Sequence, residues 1–263
     1  MTLPSNLQGS YDDLARDPKY QHFARIPDRI IQCIDYFGIA CNREVTQARL
    51  QAYYLFIGVV DDAIDSGRID TGRFVFDHLG RAAPVFDEAT QRSSVRLITE
   101  ILKSHLCEET RPLIVDKLRE LYEEVVSEPG ATSIESYIEH RKSVGSLTAE
   151  LSFILIRPVL TGELERLLHF MKQVGAIGCL VDSLIDLRAD RRLGLLGFKP
   201  ALTDYAKLSY SVLDEGLRVS LKHAGVCGLF VRAIVDNVRD RFRAERELPQ
   251  LISERKDEAA SVA

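Results

Sequence analysis

Tryptophan is absent from this 263-residue chain, and cysteine is sparse and scattered. The five cysteines (Cys33, Cys41, Cys107, Cys179 and Cys227) are odd in number and none belongs to a C-x-x-C pair, so neither a zinc site nor a disulfide framework is indicated. Dispersed thiols of this kind fit a reducing compartment, and the expected location is cytoplasmic. No basic block occurs and the formal net charge is −5, which argues against nucleic acid as a partner. No apolar run reaches about eighteen residues, so no transmembrane segment is expected. Residues 1–20 are polar and lack the basic-then-apolar order of a signal peptide. Repeats, low-complexity tracts and interdomain linkers are missing too, which leaves a single domain as the expectation.

What is present is an ordinary globular balance, 46% hydrophobic and 28% charged, in a chain long enough to bury a large core unaided. Apolar residues recur at helical spacing and strand-like alternation is scarce. The pattern predicts helices over residues 27–40, 44–66, 71–83, 89–107, 109–127, 132–156, 162–192, 200–224 and 227–247. Pro27 and Pro112 sit where a first helical turn tolerates a missing amide. Glu128-Pro129-Gly130-Ala131 stops one helix, and Thr132 or Ser133 can cap the next, with Glu135 placed for a capping box. The connections are short, so sequential helices should pack antiparallel. The predicted fold is all-α: one helical bundle over residues 20–247, preceded by a loosely ordered stretch at 1–19 and followed by a polar tail at 248–263.

Two carboxylate clusters stand out. About nine mostly apolar residues, beginning Ala52-Tyr53-Tyr54-Leu55-Phe56, run directly into Asp61-Asp62-Ala63-Ile64-Asp65. Asp61 and Asp65, four apart, share a helix face, while Asp62 lies about 100° round the helix. Like charges at this spacing repel by a few tenths of a kcal/mol on an exposed helix, and a hard divalent cation would relieve that cost. A solvated helix end is the plainer explanation for this cluster taken alone. The second cluster, Asp182, Asp186 and Asp190, forms a row that drifts about 40° per step along one face. No cation interrupts the row at four-residue spacing, which makes it a poor salt-bridge surface and a good wall for Mg²⁺. Arg188, Arg191 and Arg192 follow closely in sequence and can take phosphate oxygens bidentately, or simply neutralise a solvent-facing stripe.

The order of these motifs resembles the class I isoprenoid (terpene) synthases, a superfamily of all-α enzymes built around a central apolar pocket. Asp61-Asp62-Ala63-Ile64-Asp65 is similar to their first motif, D-D-x-x-D. Asp182-x3-Asp186-x3-Asp190 is similar to the second, and its aspartates at all three positions stand nearer the Asn, Asp, Asp of squalene and phytoene synthases than the Asn/Asp, Ser/Thr, Glu of terpene cyclases. Arg141, 41 residues before Asp182, together with Val144 and Gly145, resembles the cyclases' diphosphate-sensing arginine, linker and effector, where a helix breaks and a carbonyl faces the substrate. The resemblance spans about residues 44–195. The N-terminal Ser-Phe…Ser-Arg stretch of squalene and phytoene synthases is absent, and so is the C-terminal Arg-Tyr pair of many cyclases, the last tyrosines being Tyr205 and Tyr210.

The resemblance implies a catalytic set of Asp61, Asp62, Asp65, Arg141 and Gly145. It implies three Mg²⁺ ions on Asp61, Asp65, Asp182, Asp186 and Asp190, with diphosphate contacts from Arg141, Arg188 and Arg191. The implied substrate is a linear prenyl diphosphate, farnesyl or geranylgeranyl diphosphate, ionised to a carbocation. Pocket candidates are Tyr53, Tyr54, Phe56, Val144, Phe153 and Cys179; aromatic faces stabilise desolvated cations by about 2 kcal/mol, although ordinary core packing accounts equally for any one of these rings. The leading expectation is a terpene cyclase. A head-to-head prenyltransferase of the squalene or phytoene type is the alternative, and a non-catalytic helical binding protein the third. Residues 231–247 alternate in charge sign and read as a solvated face or a homodimer surface.

Overall fold

Helical periodicity carries into ten α-helices among the described residues: α1 (Ser5–Arg16), α2 (Gln21–Ala24), α3 (Ile26–Tyr36), α4 (Arg43–Asp65), α5 (Thr71–Leu79), α6 (Ser94–Ser104), α7 (Arg111–Ser127), α8 (Ile134–Ile156), α9 (Leu164–Leu193) and α10 (Leu202–Lys222). The structure is a computed structural model that describes residues 5–66, 68, 71–80, 84–85, 87, 90, 92–193, 196–226, 228, 231–232 and 235. Short polar side chains open several helices: Asn42 accepts from the Val45 amide at 3.2 Å before α4, and Ser133 accepts from the Ser136 amide at 3.3 Å before α8. After α3 the chain reverses at Gly38 (φ 66), where the Ile39 amide reaches back to the Ile34 carbonyl at 3.1 Å. Most of the predicted 227–247 helix and the whole 248–263 tail lie outside the described residues.

The helices pack as a single helical domain. Its centre is the α8–α9 pair, the most extensive helix contact; α7 lies on α8, α10 on α9, and α4 on α3, α6 and α8. A two-residue antiparallel bridge, Ala40 with Thr161 and Cys41 with Leu160, ties the connection before α4 to the one before α9. The main core gathers α3, α4, α6, α8 and α9 around Ile34, Leu50, Tyr53, Ile98, Ile156 and Phe170. A smaller core of Ile134, Tyr137, Leu180, Leu187 and Leu208 joins the start of α8 to the far end of α9 and the start of α10.

Three features depart from those expectations or add to them. The stretch read as loosely ordered at 1–19 holds α1 and a short 3₁₀ turn at Pro18–Tyr20. Leu7 is buried in the core, with Tyr11, Leu14 and Ala15 packed against it, a helical spacing diluted by Gly9, Asp12 and Asp13. Leu7→Ala is therefore expected to destabilise the fold by about 2–5 kcal/mol, read from the urea unfolding midpoint. Second, Leu164–Arg188 is long and apolar enough to cross a membrane by length and composition. Its apolar side packs on α8, which gives that composition a use within the domain. Third, α6 carries a charged pair in the interior: Glu100 and Lys103 stand 3.7 Å apart with both side chains fully buried, and Glu100 also accepts from the Val85 amide at 2.7 Å.

His105, at the end of α6, is pushed down to about 4 by burial and by the nearby Arg49 charge. It is neutral in the fold, while the unfolded chain takes up a proton below about 6.5. Its contribution to stability is thus complete above that value and lost as the pH falls towards 4, up to about 3 kcal/mol. A His105→Gln variant should show a shallower loss of stability than the parent between about pH 6.5 and 4 in urea titrations.

Candidate active site

The site begins with two glycines. Where α8 crosses α9, a Cβ placed on Gly145 would overlap the Gly175 carbonyl oxygen and come within 2.8 Å of the Cys179 Cβ. A Cβ on Gly175 would overlap the Gly145 oxygen and come within 2.7 Å of the Ala149 Cβ. The two backbones touch because neither residue has a side chain. The helix break expected at Val144-Gly145 is not there: α8 runs unbroken from Ile134 to Ile156, and the Val144 carbonyl accepts from the Thr148 hydroxyl at 2.8 Å. Glycine supplies room at this position rather than a kink, and its carbonyl lies against α9.

One turn from the crossing, Arg141 reaches across to α9. Its Nε donates to the Ser183 hydroxyl at 2.7 Å, and Ser183 donates in turn to the Cys179 carbonyl at 2.7 Å. Its Nη1 donates to the Glu128 carboxylate at 3.2 Å. The guanidinium is thereby held between Ser183 on α9 and Glu128 in the turn before α8. Burial works against the Arg141 charge, but Cys179 and Glu128 outweigh it and its pKa lies above the usual arginine range. Glu128 was legible only as part of a helix stop; its role as the arginine's anchor comes from the turn that places it against α8.

Cys179 reports how the two carboxylate clusters are arranged. Burial pushes its thiol up to about 12; Arg141 opposes the rise, and Asp182, Glu128 and Asp61 add to it. Asp61 comes from α4 and Asp182 from α9, so both clusters act on one thiol. Both helices pack on α8, while α4 and α9 make little backbone contact with each other. The helices that carry the two carboxylate clusters, α4 and α9, thus share α8 as a common neighbour.

The members of the clusters differ in setting. Asp61 is exposed; Asp182 and Asp186 are half-buried; all three make further interactions in the fold. The side chains of Asp65 and Asp190 lie outside the described residues. Asp62 points elsewhere: the Lys19 ammonium contacts its Oδ1 and the Tyr20 hydroxyl donates to its Oδ2 at 3.2 Å. Burial, followed by the Asp62 charge, pushes Tyr20 up to about 12, so it remains a donor.

Among the described residues no group of three or more His, Cys, Asp or Glu side chains is assembled tightly enough to hold an ion by itself. Mg²⁺ in general binds one or two carboxylates and completes its shell with water and phosphate oxygens. The carboxylates of Asp61 on α4 and of Asp182 and Asp186 on α9 are hard oxygen donors of the type such an ion takes. Asp61, Asp182 and Asp186 are the described residues that would hold the ion.

Several expected site residues lie elsewhere. On the continuous α9, Arg188 is about 200° round the helix from Asp186 and Arg191 about 140°, so neither stands beside the aspartate row. Both are exposed. Phe56 is about 140° from Asp61 on α4, on the side turned into the core. Tyr54 stands about 20° from Asp61 and is the ring of the three nearest that face. Tyr53 donates to the Thr148 carbonyl at 2.9 Å and, like Phe153, is a core residue. Val144 and Cys179 are half-buried. His140 pairs with Glu124 at 2.9 Å. No protein-family model, curated protein or solved structure matches this chain.

Proposed function

We propose that this chain is a Mg²⁺-dependent class I terpene synthase that ionises a linear prenyl diphosphate and converts the resulting allylic carbocation to a terpene hydrocarbon or alcohol. The observation that supports the reading is that the helices carrying the two aspartate clusters, α4 and α9, both pack on α8, which brings Arg141 to the Ser183 hydroxyl at 2.7 Å. Opposed carboxylates next to a fixed arginine form a place for a polyanion bridged by divalent cations. Mg²⁺ held there supplies Lewis-acid neutralisation of the departing diphosphate.

The chain's own groups do the rest. Arg141 keeps its charge and, oriented by Ser183 and Glu128, directs guanidinium hydrogens towards diphosphate oxygens with no reorganisation as charge develops. Tyr54, Val144 and the neutral Cys179 thiol provide apolar surface that keeps water from the cation. The thiol's raised pKa matters, because a thiolate there would capture a carbocation.

The aspartates at all three positions of the second motif favour a second reading, a head-to-head prenyltransferase joining two prenyl chains. One experiment separates the readings. Purified protein with Mg²⁺ and geranyl, farnesyl or geranylgeranyl diphosphate is extracted and analysed by gas chromatography–mass spectrometry. A cyclic product with the substrate's carbon count supports the cyclase; a doubled carbon count supports the transferase. No product and no released diphosphate from any substrate would count against both and favour a helical binding protein.

A further inference from the structure

We propose that Lys19 and Tyr20 are positioning residues for the first aspartate cluster: they hold Asp62 turned to the N-terminal segment and leave Asp61 as the member of the pair that serves the site. This role rests on that cluster being the cation wall proposed above. The segment is shaped before it docks. Asp17 accepts from the Lys19 amide at 2.9 Å and Pro18 presets the first position of the 3₁₀ turn, which places Lys19 and Tyr20 side by side.

Two independent contacts then seat the segment on the last turns of α4. The Phe23 ring fills the notch left by Gly58, where a Cβ would come within 2.5 Å of the ring. One turn further on, the Lys19 ammonium and the Tyr20 hydroxyl take the two different oxygens of Asp62. Two donors on two oxygens fix the carboxylate's direction as well as its charge. Asp61 is about 100° away on the helix and its charge acts on Cys179 across the site. The adjacent aspartates are thus divided between two tasks.

Lys19 is 56% exposed, so its pairing adds little to stability. Its consequence is local. Without it, Asp62 keeps only the Tyr20 hydroxyl and is a less compensated charge beside Asp61, able to compete for the same cation. The N-terminal segment thereby becomes part of the active site, although α1 and the 3₁₀ turn carry no carboxylate of either motif.

The test reads metal binding directly. Mn²⁺ is titrated into the full chain with inorganic diphosphate, and free Mn²⁺ is followed by electron paramagnetic resonance. The parent is compared with Lys19→Met, Asp62→Asn and the double variant, and circular dichroism checks that each is folded. Lys19→Met is expected to tighten Mn²⁺ binding by about threefold to tenfold, and the effect should vanish in the Asp62→Asn background. An unchanged affinity overturns the role. So does the same shift in both backgrounds, because Lys19 would then act only as a general surface charge. If the parent itself binds no Mn²⁺ with diphosphate, the metal reading fails first and takes this role with it, a result distinct from either of the others.

Discussion

Gly145→Ala is expected to cost about 2–4 kcal/mol of folding stability, whereas Gly178→Ala, on the neighbouring helix, should gain up to about 1 kcal/mol. Both substitutions put the better helix former into a helix, so propensity favours both. They differ in what the new methyl meets. At Gly178 nothing lies within 4 Å. At Gly145 the methyl would overlap the Gly175 carbonyl, and backbone cannot rotate away as a side chain does. The helices must separate, which weakens the most extensive contact in the domain. Gly175→Ala should behave alike. The double variant should cost less than the sum of the two, because one separation relieves both overlaps. Urea midpoints for the four variants check this; equal stability for Gly145→Ala and Gly178→Ala would show that α8 and α9 do not meet at backbone contact. The same separation would draw Arg141 away from Ser183, so under the proposed function activity should fall more steeply than stability.

That glycine pair shows where sequence reading stops. The helices themselves were legible, since α4, α8 and α9 bury long apolar faces and a cap, Ser133, stands where the α8 backbone needs an acceptor. The aspartates were legible because i, i+4 spacing places charges on one face whatever the tertiary fold. A break was expected at Gly145 because the stretch resembles one in the isoprenoid synthases; glycine permits unusual backbone angles, yet it equally permits close approach, and only a partner helix decides between the two. Its partner lies 30 residues away in α9, beyond any local pattern.

Closeness in sequence does not place two residues on one helix face. Arg188 and Arg191 adjoin the aspartate row along the chain but lie on other sides of a continuous helix. Phe56 fails for the same reason on α4. Conversely, the groups that orient the site come from afar: Glu128 reaches Arg141 across 13 positions, and Lys19 reaches Asp62 across 43. Lys19 lies in a stretch whose weak periodicity hid α1, so its proximity to the carboxylates follows from Leu7 and Phe23 docking the segment.

Asp182→Asn is expected to lower kcat by about 10³-fold while leaving the fold intact, and Asp61→Asn should do the same. Asparagine keeps the shape of aspartate and removes one negative charge, so helix packing is unaffected and any loss belongs to electrostatics. Metal neutralisation of a leaving group lowers the barrier by several kcal/mol, and losing about 4 kcal/mol of it corresponds to that factor. If the two aspartates serve one ion-bridged diphosphate, the double variant should fall little further than either single one, because the first substitution already dismantles the shared unit. Independent losses that multiply would mean that Asp61 and Asp182 act at separate sites, against their common influence on Cys179. Raising Mg²⁺ should restore part of the activity of each single variant and leave Arg141→Gln unmoved, since that change removes a donor to diphosphate rather than a ligand to the ion. Full activity in Asp182→Asn at ordinary Mg²⁺ would remove the metal wall from the mechanism and leave the aspartate row as a solvated face of α9.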